Sequence, residues 1–243
     1  MTISQPPPFH LTERDHFVLS LTDEQFKPHD WEDLKSIIAR NDLGALIRRP
    51  SDLRRYIAWT TNIKAKYGSI TNFVCQERLG WQHLNNHSLA PNPNLNSISN
   101  SNPTPTSSSS TSDSKPIFAY KSPIPFADPD DYKILRNDWP YGVEPGISHL
   151  VIWLRTPIDV DEEGYITEES RALIQRFVDT TFVERLAGEG FKDAEKHVLW
   201  FKNWTGLQSV RSLEHVHVLL KDVSEKLIFE WTGELRDGER LLN

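Results

Sequence analysis

Apolar residues recur at helical spacing through the first third of the chain and gather into short strand-like runs in the last half. Between Asp30 and Ile47, Trp31, Leu34, Ile37, Ile38 and Leu46 fall on one helical stripe. A second helix opens at Pro50-Ser51-Asp52, with Ser51 as N-cap, and Gly68 stops it. Its apolar face is Leu53, Tyr56, Ile57 and Ile63, and a third, short helix follows from Ser69 to Leu79. Residues 1–20 are Pro-rich and polar and read as a flexible lead, so that 21–85 forms a helical N-terminal region.

Residues 86–116 break both patterns. This Ser, Asn, Pro and Thr run cannot bury enough apolar surface to offset its chain entropy, so it is predicted to be disordered. It either separates two domains or loops out of one.

Beyond it, 117–243 forms the second region. Strands are expected at 131–137 (DYKILRN), 149–155 (HLVIWLR), 197–203 (HVLWFKN) and 212–220 (SLEHVHVLL). Between the second and third lies a long helix capped by Thr167, with Glu168 and Glu169 in its first turn. Its apolar face runs from Leu173 through Phe177 to Leu186, and Gly188 and Gly190 end it. The order strand, strand, helix, strand, strand gives an α+β fold: an antiparallel sheet with a long helix, plus the N-terminal helical extension. The stretch KLIFEW (226–231) adds a further strand or packs as a tail.

Charge and composition narrow the function classes. A net charge of −7 and a pI near 5.7 argue against coating nucleic acid or an anionic membrane. A single cysteine, Cys75, excludes an intrachain disulfide and fits a reducing compartment. The start MTISQPPPFHLTERDHF has no signal-peptide pattern, and no apolar run approaches the roughly 20 residues that span a bilayer. A cytoplasmic location is expected. No GxGxxG, P-loop or GxSxG element is found in the chain.

The candidate chemistry lies in EHVHVLL. On a strand, His215 and His217 project to one face and Val216 and Val218 to the other. The pair is either a reactive site or two polar residues on a sheet. With His149 as a third ligand, His215 and His217 would also suit zinc or iron. Trp139 and Tyr141, in NDWPYG, line a pocket or pack a turn.

Two resemblances bear on that choice. NWTGLQSVRSLEHVHVLL and ILRNDWPYGVEPGISHLVIW together resemble the two halves of the histidine triad superfamily pattern, over residues 131–220. The whole chain, through QERLGW, NDWPYG, HLVIW and LQSVRSLEHVHVLL, is similar to the fungal N-acetylglucosamine-induced protein family. The triad resemblance implies a histidine-triad-like fold and a hydrolase or transferase acting on a nucleotidyl or phospho-sugar group. It makes His215 the nucleophile and His217 its companion, with Asn203, Gln208, Ser209, His149 and Asn137 binding substrate. Leu213 stands where that pattern has its first histidine. The expected partner is a small phosphorylated molecule, with no cofactor, no nucleic acid and no membrane; a homodimer stays open. The alternatives are a non-catalytic nucleotide- or sugar-binding protein with a degenerate triad, and a metal-dependent enzyme using the His-x-His pair.

Overall fold

The alternation in β4 (Glu214–Lys221) divides the fold into two layers around one sheet. The computed structural model describes residues 9–82, 118–204, 207, 208, 210 and 213–235; the 86–116 segment lies outside them. Strand β4 pairs antiparallel with both β2 (Ile147–Leu154) and β3 (Val198–Phe201), and β1 (Tyr132–Arg136) pairs with β2. The four-stranded order is β1-β2-β4-β3, so the two longest strands are central.

One face carries Ile134, Leu150, Ile152, Leu154, Val198, Val216, Val218 and Leu220. Against it pack α5 (Glu168–Val178), α6 (Glu184–Gly188) and α7 (Glu225–Thr232), through Ile174, Phe177, Leu186, Leu227 and Ile228. Thr167 caps α5 by accepting from the Ser170 amide, as its position predicts. A π-turn over Asp179–Val183 joins α5 to α6 and directs Phe182, fully buried, into this core.

The histidine face is covered instead by the N-terminal helices. Helix α2 (Trp31–Ala39) packs Trp31, Leu34 and Ile37 onto Phe201 and Leu219 at the β3 side. A π-turn over Val74–Leu79, continuing the short α4 (Ile70–Phe73), packs Val74, Cys75 and Leu79 onto Leu135 and Leu213 at the β1 side. Helix α3 (Pro50–Tyr67) lies with α1 (Glu13–Ser20) in a further cluster through Leu53, Tyr56 and Ile57. Two apolar contacts with a gap between them leave room for a cavity over the middle of the sheet.

Several local expectations differ. Residues 13–20 form a helix because Thr12 and Asp15 make a reciprocal capping box, which outweighs the polar character of the lead. The helix beginning at Trp31 stops at Ala39, since Asn41 takes φ +54°; only a 3₁₀ turn, Leu43–Ala45, follows. Helix α3 starts two residues early, with Pro50 at its first position and Arg49 rather than Ser51 as cap, while the Ser51 amide donates to Asp23. KLIFEW is helical because Ser224 caps it, accepting from the Leu227 amide. Among the described residues, no helix is long and apolar enough to cross a membrane.

Candidate functional site

Register brings the histidines together. On the face opposite α5, Val151 pairs with His217 and Trp153 with His215, so His149 lies diagonally across from His217. All three histidines are buried, between 4% and 7% exposed. Their rings form a row: His215 to His217 is 5.2 Å between centroids and His217 to His149 is 5.1 Å. Trp153 lies 4.8 Å from His215 at one end, and Tyr141 stacks on His149 at 5.3 Å at the other.

Hydrogen bonds fix the tautomers. His215 Nδ1 lies 2.8 Å from the Leu213 carbonyl, which only accepts, so Nδ1 carries the proton and Nε2 the lone pair. Asn203 Nδ2, a donor, lies 3.4 Å from His217 Nε2 and donates to the Tyr141 hydroxyl at 3.3 Å. His217 Nε2 therefore accepts, and its Nδ1 proton bridges the 3.0 Å to His149 Nε2. Asn137 Nδ2 lies 3.2 Å from the same His149 nitrogen.

Burial keeps these rings neutral. It holds His149 down to about 3, helped by the Arg48 charge, and His215 down to about 4. His217 is held well below its ordinary value by burial, then by the neighbouring histidines and Arg48. A neutral imidazole with a free lone pair is the form that attacks phosphorus or carbon.

The cavity over this row encloses about 710 Å³, counting the part open to solvent. Its other walls are α3, with Tyr56 and Trp59, and the NDWPYG loop, with Trp139 and Tyr141. Gly142 makes that loop possible. A Cβ there would stand 2.5 Å from the buried Phe26 ring and 3.1 Å from the Arg49 amide nitrogen. The close approach lets the Gly142 amide bond the Ile47 carbonyl and sets Tyr141 beside Arg48.

Of the residues expected in the site, His149, His215, His217, Asn137 and Asn203 meet at the histidine row. Gln208 stands behind it, donating at 2.7 Å to the Asn203 carbonyl, and Ser209 lies outside the described residues. The three histidines of the metal alternative are hydrogen-bonded to one another or to the chain; among the described residues, no group of three His, Cys, Asp or Glu side chains is placed to hold a metal.

Sequence reasoning missed Arg48, Arg78, Arg136, Tyr56 and Trp153, which also line the cavity. Trp153 reads as core from its strand, and the arginines carry no local signal.

Comparison with known proteins places this geometry in a family. The family described as "Protein of unknown function (DUF3605)" matches residues 30–221. The chain belongs to the DUF3605 family. The matched span holds α2, α3, the whole sheet and all three histidines, so the family covers sheet and cavity roof together. N-acetylglucosamine-induced protein 1 of Candida albicans is 31% identical over 210 residues, covering 84% of this chain and 72% of that protein. An uncharacterized protein of Saccharomyces cerevisiae is 36% identical over 97 residues, 39% of this chain and 46% of its own length. Among solved structures, the crystal structure of HTC1 aligns with a TM-score of 0.52 at 25% identity, covering 83% of this chain and 91% of that one. The resemblance to the N-acetylglucosamine-induced proteins is thus matched along most of the chain.

Proposed function

We propose that the chain is a hydrolase or transferase that takes a nucleotidyl or phosphorylated sugar group onto His215, in the manner of the histidine triad proteins its motifs resemble. The observation that carries this reading is the bond from His215 Nδ1 to the Leu213 carbonyl, which leaves Nε2 as a lone-pair nitrogen on a ring that lines the cavity. In the reaction, Nε2 forms a bond to phosphorus. The bond from phosphorus to the leaving group breaks, and its electron pair stays with that group. Positive charge develops on the imidazole ring and is met at Nδ1–H by the Leu213 carbonyl. Where the leaving group needs a proton, solvent in the open part of the cavity supplies it, because the His217–His149 pair is neutral and the one proton in its hydrogen bond is not acidic. Water or an acceptor then attacks phosphorus, the N–P bond breaks, and neutral His215 returns.

A second reading has one observation in its favour. Leu213, where the triad pattern has a histidine, is 1% exposed in the apolar cluster with Leu79 and Trp81. The cavity would then bind the same ligands without turnover.

Wild type and His215→Ala, assayed on nucleoside phosphoramidates, dinucleoside polyphosphates and nucleotide sugars, separate the two. The name of the Candida albicans relative adds UDP-N-acetylglucosamine to the panel. Catalysis predicts wild-type turnover that falls at least about 10³-fold in the variant. Binding to both proteins with turnover by neither supports the second reading.

A further inference from the structure

Three arginines line the cavity, and two are already neutralised. Arg78 bonds Asp138 at 2.9 Å and Glu234 at 2.6 Å, and Arg136 pairs with Glu225. Arg48 has no carboxylate within ion-pair distance among the described residues. Its guanidinium lies 4.3 Å over the Tyr56 ring and 5.7 Å from the Tyr141 ring, and its Nε donates to the Trp139 carbonyl at 3.2 Å. Among the described residues one of its five N–H donors is used, and two rings flank the guanidinium, so the remaining fork is pre-organised for an anion.

Its position along the histidine row gives it a role. Tyr141, which Arg48 faces, stacks on His149 and lies 6.3 Å from His217, whereas Trp153 closes the His215 end. A substrate with its reacting phosphorus at His215, extending past His217, brings its leaving group to Arg48.

We propose that Arg48 binds the leaving group of the reaction and that this leaving group is itself a phosphate, so the substrate is a phosphoric anhydride rather than a phosphoramidate. The inference rests on the reading of His215 as nucleophile for the direction of the reaction, but the anion subsite does not depend on it. When the phosphorus–oxygen bond breaks, the bridging oxygen keeps the electron pair and becomes part of a phosphate. The guanidinium offsets that charge as it develops, so departure does not require a proton. Arg48 comes from the segment before α3, so the N-terminal helices contribute to specificity as well as covering the sheet.

The test pairs two substrates with the same transferred nucleotidyl group: a nucleoside phosphoramidate and the matching nucleoside diphosphate sugar. Wild type prefers the anhydride. Arg48→Gln lowers kcat/KM for the anhydride about 30-fold, Arg48→Lys lowers it less, and the phosphoramidate changes less than about threefold in either. An equal fall for both substrates, or none for the anhydride, overturns the proposal. Should wild type turn over neither, the nucleophile reading fails alone, and the subsite is read by binding. Quenching of tryptophan fluorescence then shows tighter binding of hexose 1-phosphate than of the free hexose, by about tenfold or more, and Arg48→Gln abolishes that difference. Equal binding of the two by wild type sinks the subsite as well. Arg185→Gln, a distant surface arginine, is the unchanged control.

Discussion

His149 Nε2 and His217 Nδ1 lie 3.0 Å apart although 68 residues separate them in the chain. Only one of the two nitrogens can carry the proton between them, so the pair acts as a unit. His149→Phe and His217→Phe are each expected to lower kcat about tenfold, because each leaves its partner's buried ring nitrogen unpaired beside His215. The double variant should be no slower than the slower single one. Multiplicative losses in the double-mutant cycle would show that the two act separately.

The same burial makes stability depend on pH. His149, His215 and His217 are held below the ordinary value of 6.5 in the folded chain, and His29 shifts the same way through burial. The unfolded chain therefore takes up protons first as pH falls. The stability that comes from keeping these rings neutral is complete above about pH 6.5 and is lost toward pH 4. From pH 7 to 5.5 each histidine costs about 1 kcal/mol, with less than full additivity in the hydrogen-bonded pair. Urea unfolding at both pH values measures this, and replacing the three row histidines by Asn should flatten the difference. Equal stability of wild type at the two pH values would refute it.

Gly142 links fold to site. Gly142→Ala pushes a methyl group against Phe26, itself only 6% exposed, and against the Arg49 backbone. Overpacking of this kind costs about 1–3 kcal/mol. Because the same contact sets Tyr141 beside Arg48, anhydride turnover should fall along with the thermal midpoint. A variant with lowered stability and unaltered kcat/KM would uncouple the loop from the site.

Glu234 should work in the opposite sense on binding. Its carboxylate accepts from Arg78 and from the Arg136 amide, with side chains only 16% and 10% exposed across the Arg78–Glu234 pair. Glu234→Ala breaks this largely buried pair and costs about 3 kcal/mol. It also removes one of the two carboxylates that face Arg78 among the described residues, so hexose 1-phosphate should bind more tightly in the surviving folded protein. Weaker binding would mean that Glu234 holds the cavity wall rather than screening its charge.

The fold was largely legible where local pattern governs it. The continuous apolar run from Leu150 to Leu154 and the His–Val alternation from His215 to Val218 marked the central strands, and Thr167 with Glu168 and Glu169 announced α5. KLIFEW was ambiguous because four apolar residues within a six-residue stretch satisfy either period; Ser224, just upstream, decides it as a cap. The histidine row was half legible. His215 and His217 share a face by alternation alone, but the meeting of His149 with His217 depends on a strand register that no local signal fixes. Arg48 and Tyr56 could not have been found, because 91 residues separate Arg48 from its Trp139 contact and only tertiary packing brings them to the site.

The most direct measurement is mass spectrometry of the protein quenched at alkaline pH during turnover of a nucleoside diphosphate sugar. The account predicts a nucleotidyl adduct on the peptide containing His215, absent in His215→Ala and hydrolysed by acid. Turnover that continues in His215→Ala, or an adduct on any other residue, would contradict it.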